Sequence, residues 1–218
     1  MIKNKIIVSV GAILFLFQLM IAQSSNGQDT LNSMKDPEAF RKNMLESAAR
    51  ITNISSDFIQ LKHLSFLEEE VESQGVFYYQ KEDKLRWEYK DPFFYLIIFN
   101  GDNILIQDDN KTNVYDAASG RLFKEINNIM ITMVDGSILE SDNFQISYFE
   151  KPGNYILELI PKDENMKEFL ARILIYIEPV NYTADELFMI ERSGDFTQIR
   201  FVNKQLNEDI PQHIFDIP

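Results

Sequence analysis

Residues Ser73 to Gln107 read SQGVFYYQKEDKLRWEYKDPFFYLIIFNGDNILIQ, and this stretch decides the fold. From Lys84 to Tyr89 the chain alternates without a break. Leu85, Trp87 and Tyr89 fall on one side; Lys84, Arg86 and Glu88 fall on the other. Successive side chains of a strand face opposite ways, so this is a half-wet strand with one aromatic face. Gly75–Gln80 is the strand before it, and Lys81-Glu82-Asp83 makes the polar turn between them. Asp91-Pro92 ends the alternation, because proline donates nothing to a ladder and restricts the residue before it. Phe94–Phe99 is the next strand. Asn100-Gly101 then supplies a hairpin turn whose central positions favour positive φ, and Ile104–Gln107 returns. The stretch is an antiparallel meander with a greasy face.

Upstream of the meander, Asp36-Pro37-Glu38 opens a helix, with Asp as N-cap, Pro at the first helical position and an acid in the first turn. Phe40, Met44, Leu45, Ala48 and Ile51 recur at helical spacing up to about Asn53. Ile54–Leu64 is extended. Downstream, Asn113–Asp116 is a short strand and Leu122–Val134 breaks the β rhythm. Leu122, Phe123, Ile126, Ile129, Met130, Met133 and Val134 make one helical stripe. A second β block follows: Asn143–Glu150, Tyr155–Pro161, Leu170–Glu178, Glu186–Arg192 and Asp195–Asn203, with one helical turn at Asp163–Glu168 and a short closing strand at Ile214–Ile217. The pattern of ten or eleven strands with two interposed helices predicts a mainly β, α+β domain. Its expected form is one strongly curved antiparallel sheet, with no internal repeat.

Composition sets the frame for function. Of the 218 residues, 45% are hydrophobic, 17 are phenylalanine and none is cysteine. Disulfides and thiolate metal sites are therefore excluded, and the chain is not itself a lipoprotein, which needs a cysteine at its processed N-terminus. Lys3 and Lys5 precede an apolar run from Ile6 to Ala22, the layout of a secretory signal. The expected organisation is a signal peptide over 1–22 cleaved between 22 and 27, a disordered leader over 23–35, and a single domain over 36–218. Removing Lys3 and Lys5 takes the net charge from −13 to −15, which disfavours nucleic acid and anionic membrane and favours a self-repelling monomer.

No catalytic constellation is legible. The two histidines, His63 and His213, are far apart, and glycine is scarce at 8 in all. There is no phosphate loop, nucleophile elbow or metal-ligand spacing. The acids fall at turns and on wet faces. What stands out is the excess of aromatic and methionine-rich apolar surface. A sheet with an apolar face and an amphipathic helix closing it describes a pocket for a lipid-like ligand, with Met130 and Met133 suited to the lid. The same pattern also describes an ordinary packed core.

Several motifs resemble those of periplasmic lipoprotein carriers of the LolA type. Ile54-Ser55-Ser56-Asp57-Phe58-Ile59-Gln60 resembles that family's "AdFxQ" strand. Gly75–Lys81 followed by Lys84–Pro92 is similar to its "GxFxxxRPxxxRWxYxxP", and Ile98–Leu105 to its "vsDGxxLW" hairpin. Gly194–Phe201 resembles "GxxTxixF", and Asn207–Phe215 resembles "NxxixxxxF". The resemblance implies an incomplete β-barrel whose apolar concave face is lidded by short helices. It implies a soluble, non-enzymatic periplasmic carrier, without cofactor or metal, that shields acyl chains of lipoproteins or related lipids. Its partners would be an inner-membrane ABC-type release complex and an outer-membrane acceptor. A sensor or adaptor domain that binds a lipid or a protein partner uses related sheets and is the alternative. By residue, the acyl cavity would be lined by Leu85, Trp87, Tyr89, Phe40, Met44, Phe123, Met130, Met133, Phe144 and Ile146. Lys81 stands where the family has an arginine that holds lid carbonyls, and Lys81-Glu82 replaces the family's Arg-Pro. Lysine offers a point charge rather than a planar fork there.

Overall fold

A computed structural model of the chain describes residues 31–218 except 68, 83, 117–130, 133 and 135. The expected export signal over 1–22 lies outside these, as does most of the helix expected over 122–134; of that helix Ile131, Thr132 and Val134 are described, with helical backbone. The described residues start at Leu31, within the stretch expected as a leader. Asn32–Ser33 (β1) pairs with Glu150 and Phe149, and Met34 is buried in the core.

Helix α1 spans Pro37–Arg50 and starts as the sequence dictates, with the Asp36 carboxylate accepting from the Ala39 N–H at 3.0 Å. Its buried face is Phe40, Met44, Ser47 and Ala48. It stops at Arg50, short of the expected Asn53, because Asn53–His63 (β2) already belongs to the sheet. The meander follows as β3 (Val71–Gln80), β4 (Lys84–Asp91), β5 (Tyr95–Asn100), β6 (Asn103–Asp108) and β7 (Thr112–Asp116). After a 3₁₀ helix at Ser137–Glu140 come β8 (Phe144–Lys151) and β9 (Asn154–Pro161). Helix α2 (Glu164–Phe169) leads to β10 (Arg172–Ile177), β11 (Ala184–Ile190) and β12 (Phe196–Leu206).

The twelve strands of the described residues form one antiparallel sheet in the order β1-β8-β9-β10-β11-β12-β2-β3-β4-β5-β6-β7. This corrects the expected strongly curved, incomplete barrel: the sheet is open, with β1 and β7 last in its strand order at either end. Closure needs two edges of matching length and register. A two-residue β1 offers no such ladder to β7, whose side chains stay largely in solvent.

One face of the sheet carries the main core. Ile54, Phe58, Phe77, Tyr79, Leu85, Trp87, Phe99, Leu157, Leu159, Ile173, Ile175, Leu187 and Ile199 pack there with Phe40 and Met44 of α1 and with Ile138 and Leu139 of the 3₁₀ helix. The opposite face is not bare either. The expected closing strand at Ile214–Ile217 is instead a 3₁₀ helix, Gln212–Phe215, strapped across β4 to β6. Arg86 donates to the Ile214 carbonyl at 2.9 Å and Asn100 to that of Phe215 at 3.0 Å. A second small core of Leu96, Ile98 and Leu105 packs with Phe94 and Ile217. That strap explains why Phe94–Phe99 is apolar at every position: a strand covered on both faces has no wet side.

Candidate functional site

The aromatic face read from β4 is assembled by register. Phe58 pairs with Gly75, and Gly75 with Tyr89; Phe77 pairs with Trp87, and Phe201 with Phe58. Gly75 is the notch that lets these rings meet. A Cβ on it would sit 1.9 Å from the Glu88 carbonyl oxygen and 2.7 Å from the Phe58 ring. Phe58 uses that room to lie 4.6 Å from the Trp87 ring and 5.1 Å from Tyr89. Phe77 and Phe201 close in on Trp87 from the other side, at 5.4 and 6.0 Å.

At one end the cluster reaches solvent. Phe93 is 47% exposed and stacks on Tyr89 at 5.7 Å. Tyr89 is half-buried, and its hydroxyl donates to Gln60 Oε1 at 2.9 Å, while Gln60 Nε2 donates to the buried Ser73 hydroxyl at 3.4 Å. Burial pushes the Tyr89 phenol above its ordinary value, an effect that the side chains of Trp87 and Gln60 partly offset. Yet the Trp87 Nε1–H, close enough to the phenol to be felt by it, meets no acceptor at hydrogen-bond geometry among the described residues. A buried donor left in that state costs about 1–3 kcal/mol.

Of the residues expected to line a cavity, the described ones fall on this covered face. Leu85 is 1% and Trp87 5% exposed, and Phe40, Met44 and Phe144 are equally deep. Ile146 and Tyr89 pack against the same core from partly buried positions. Phe123, Met130 and Met133 lie outside the described residues. The cavity beside this core is about 40 Å³, bounded by Ile54, Phe77, Val134, Leu187 and Phe201. Ligand pockets for drug-sized molecules run to roughly 300–1,000 Å³, so this one holds solvent-sized guests rather than an acyl chain. Its polar rim is self-satisfied. Lys204 Nζ donates to Thr183 Oγ1, the Ala184 carbonyl and Asp185 at 2.7 to 2.9 Å. Sequence reasoning missed Phe77 and Phe201 as neighbours of Trp87. The period-2 pattern places Phe77 on the face, but only the pairing of β12 with β2 brings Phe201 alongside.

α1 covers this layer. The Phe40 ring sits 4.9 Å from Tyr155 and 5.8 Å from Tyr182. Arg41 donates to the Leu139 carbonyl and to the Tyr148 hydroxyl, both at 3.1 Å. At the helix's other end Lys81 Nζ donates to the Ala49 carbonyl at 2.7 Å. The contact described for Lys81 is thus with α1. The last four carbonyls of a helix have no partner within it, and a cation there is favoured twice, as donor and by the helix dipole.

His63 stacks flat on Phe196, with ring centroids 4.9 Å apart, and His213 lies in the C-terminal strap. Among the described residues no group of three or more acids and histidines is disposed to hold a metal ion.

Comparison with known proteins gives a consistent result. The model of the family "Outer membrane lipoprotein carrier protein LolA" matches residues 49–218. An outer-membrane lipoprotein carrier protein of Methylococcus capsulatus is 26% identical over 180 residues, which cover 82% of this chain and 82% of that protein. Among solved structures, a conserved protein from Thermus thermophilus has a TM-score of 0.50 at 10% identity, over 83% of this chain and 93% of that one. A LolA superfamily protein from Nitrosomonas europaea has a TM-score of 0.43 at 10% identity, over 81% and 97%.

Proposed function

The chain belongs to the outer membrane lipoprotein carrier protein LolA family, and on that premise we propose that it ferries acyl-bearing cargo through the periplasm, shielding the acyl chains against the covered face of its sheet. It is a carrier and not an enzyme. Cargo would be lipoproteins or related lipids, taken from an inner-membrane ABC-type release complex and delivered towards an outer-membrane acceptor. The stretch over 1–22 would serve as the export signal.

The observation that carries this reading is the covering of an aromatic layer by α1 through contacts of unequal strength. The layer itself is deep and apolar, from Phe58 and Trp87 through Leu157 to Ile175. α1 is held at its C-terminal end by exposed hydrogen bonds from Lys81 to the Ala49 carbonyl and from Asn207 to that of Arg50, and by Ser47 donating to the Asn181 carbonyl. An exposed hydrogen bond of this kind contributes about 1 kcal/mol or less, small beside the burial of an acyl chain at ~0.8 kcal/mol per CH₂. The cavity bounded by Ile54, Phe77, Val134, Leu187 and Phe201 is about 40 Å³, so an acyl chain entering there displaces covering side chains rather than filling a standing hole. Loading is therefore an exchange of one apolar cover for another, and the empty form stays closed and soluble.

The test is recovery of cargo. The full chain is expressed in a Gram-negative host, purified from the periplasmic fraction without detergent, and its bound lipid and lipoprotein identified by mass spectrometry. Acyl-bearing species in near-stoichiometric amounts are expected. If neither the parent nor Lys81→Met, in which α1 is less firmly held, yields any acyl species, the carrier reading fails.

A further inference from the structure

Resting on the carrier reading, we propose that the Trp87 indole is a polar recognition point within the acyl site, its Nε1–H donating to a carbonyl oxygen of the cargo's acyl ester or amide. Trp87 is 5% exposed, and its Nε1 has no acceptor among the described residues. Its surroundings are otherwise apolar: Phe58, Phe77 and Phe201 crowd the ring. The nearest polar group, the Tyr89 hydroxyl, keeps its lone pairs but does not meet the N–H at hydrogen-bond geometry. The Tyr89 hydroxyl donates to Gln60, and Gln60 in turn reaches Ser73. This short chain of polar groups lies one ring from the exposed Phe93, which stacks on Tyr89. A buried donor with no acceptor at hydrogen-bond geometry among the described residues, next to the place where the aromatic cluster opens to solvent, is the complement of a ligand with one acceptor on an apolar chain. Acyl esters and amides have that composition; plain hydrocarbon does not. The bond would set how deep the chain enters, with the carbonyl at Trp87 and the methylene tail on the core face beyond.

The chain contains a single tryptophan, so the indole proton gives one resonance in a nitrogen–proton correlation spectrum. The probes are methyl laurate and tridecane, chains of similar length of which only the ester has a carbonyl, each delivered from cyclodextrin to the full chain. The ester is expected to move the indole proton downfield and to bind about five- to tenfold more tightly than the alkane, the worth of one hydrogen bond. Trp87→Phe keeps a ring and loses the donor, and should bring the two affinities together. If both probes bind equally and the indole proton responds to neither or to both alike, this proposal falls while the carrier reading stands. An indole shift that Tyr89→Phe alters without any probe, and that the ester leaves unchanged, assigns the N–H to the phenol and overturns it as well. If neither probe binds, the carrier reading fails with it. Should Trp87→Phe not fold, the indole spectrum of the parent decides alone.

Discussion

Lys81 and Ala49 are joined by a 2.7 Å hydrogen bond from the lysine ammonium to a main-chain carbonyl in the last turn of α1. The β3–β4 turn thereby holds the end of the helix that covers the core. Lys81→Met keeps the aliphatic stem and removes the donor. It should lower Tm by about 2–4 °C, as expected for the loss of ~1 kcal/mol in a domain of this size. Amide exchange should quicken at Ala48 to Ile51 and stay unchanged within β3 and β4. Unaltered exchange in α1 would make Lys81 an ordinary turn residue.

Gly75→Ala tests the notch under Phe58. The added Cβ meets a backbone oxygen of β4 at 1.9 Å, and backbone cannot swing aside as a side chain can. Either the β3–β4 ladder parts at the register shift between Gln74 and Gly75 or the Phe58 ring leaves Trp87. A loss of about 2–3 kcal/mol in urea denaturation is expected. A midpoint equal to the parent's would mean the strands already have slack there.

Alkaline pH should expose the buried phenol. The folded-state pKa of Tyr89 is raised above 10.0 by burial, so its contribution is fully present below that value. As pH climbs past 10.0 the unfolded chain gives up its proton first, and stability falls until the folded pKa is passed. Tyr95 and Tyr155 shift in the same direction, also through burial, so the slope is shared. Tyr89→Phe should therefore lose less stability than the parent between about pH 9 and 11. Parallel urea midpoints for the two proteins across that range would show that Tyr89 ionises as freely folded as unfolded.

Leu85→Glu asks whether the core beside β4 is filled. Leu85 is 1% exposed and pairs with Tyr79 and Phe99 on its two sides. A carboxylate there would lie in the apolar core, and the cost of about 4 kcal/mol or more should leave little folded protein by circular dichroism. A cooperative melt near the parental Tm would reveal water-filled space at this position.

Much of the fold is legible because it is local. The alternation of Leu85, Trp87 and Tyr89, the Asn100-Gly101 turn and the Asp36-Pro37 helix start are written in neighbouring residues, and each forms where expected. What fails is non-local. Period-2 patterning says which side of a strand is apolar, not whether the two end strands of a sheet will meet, so the pattern suggests a strongly curved sheet, and the resemblance an incomplete barrel, where an open sheet forms. Ile214–Ile217 reads as a strand because its apolar content is the same whether it pairs or straps; only Arg86 and Asn100, far back in the chain, decide for the strap. The face carrying the candidate site is legible for the same local reason as β4. Which rings meet there is not, since that depends on Phe201 and on the missing Cβ of Gly75.

The pairing of β12 with β2 has a consequence for when this protein can become itself. Each half of the sheet is a run of hairpins between sequence neighbours, β2 to β7 and β8 to β12, and such contacts form quickly. The seam between the halves is different: Phe196 must find His63, and Leu206 must find Ile54, across most of the domain. β12 follows every other described strand in the chain, so the inner edge of β2 stays unpaired until β12 is available. Open edges invite wrong partners. A net charge of −13 keeps copies apart during that wait, and the final strand, on arrival, commits both halves at once.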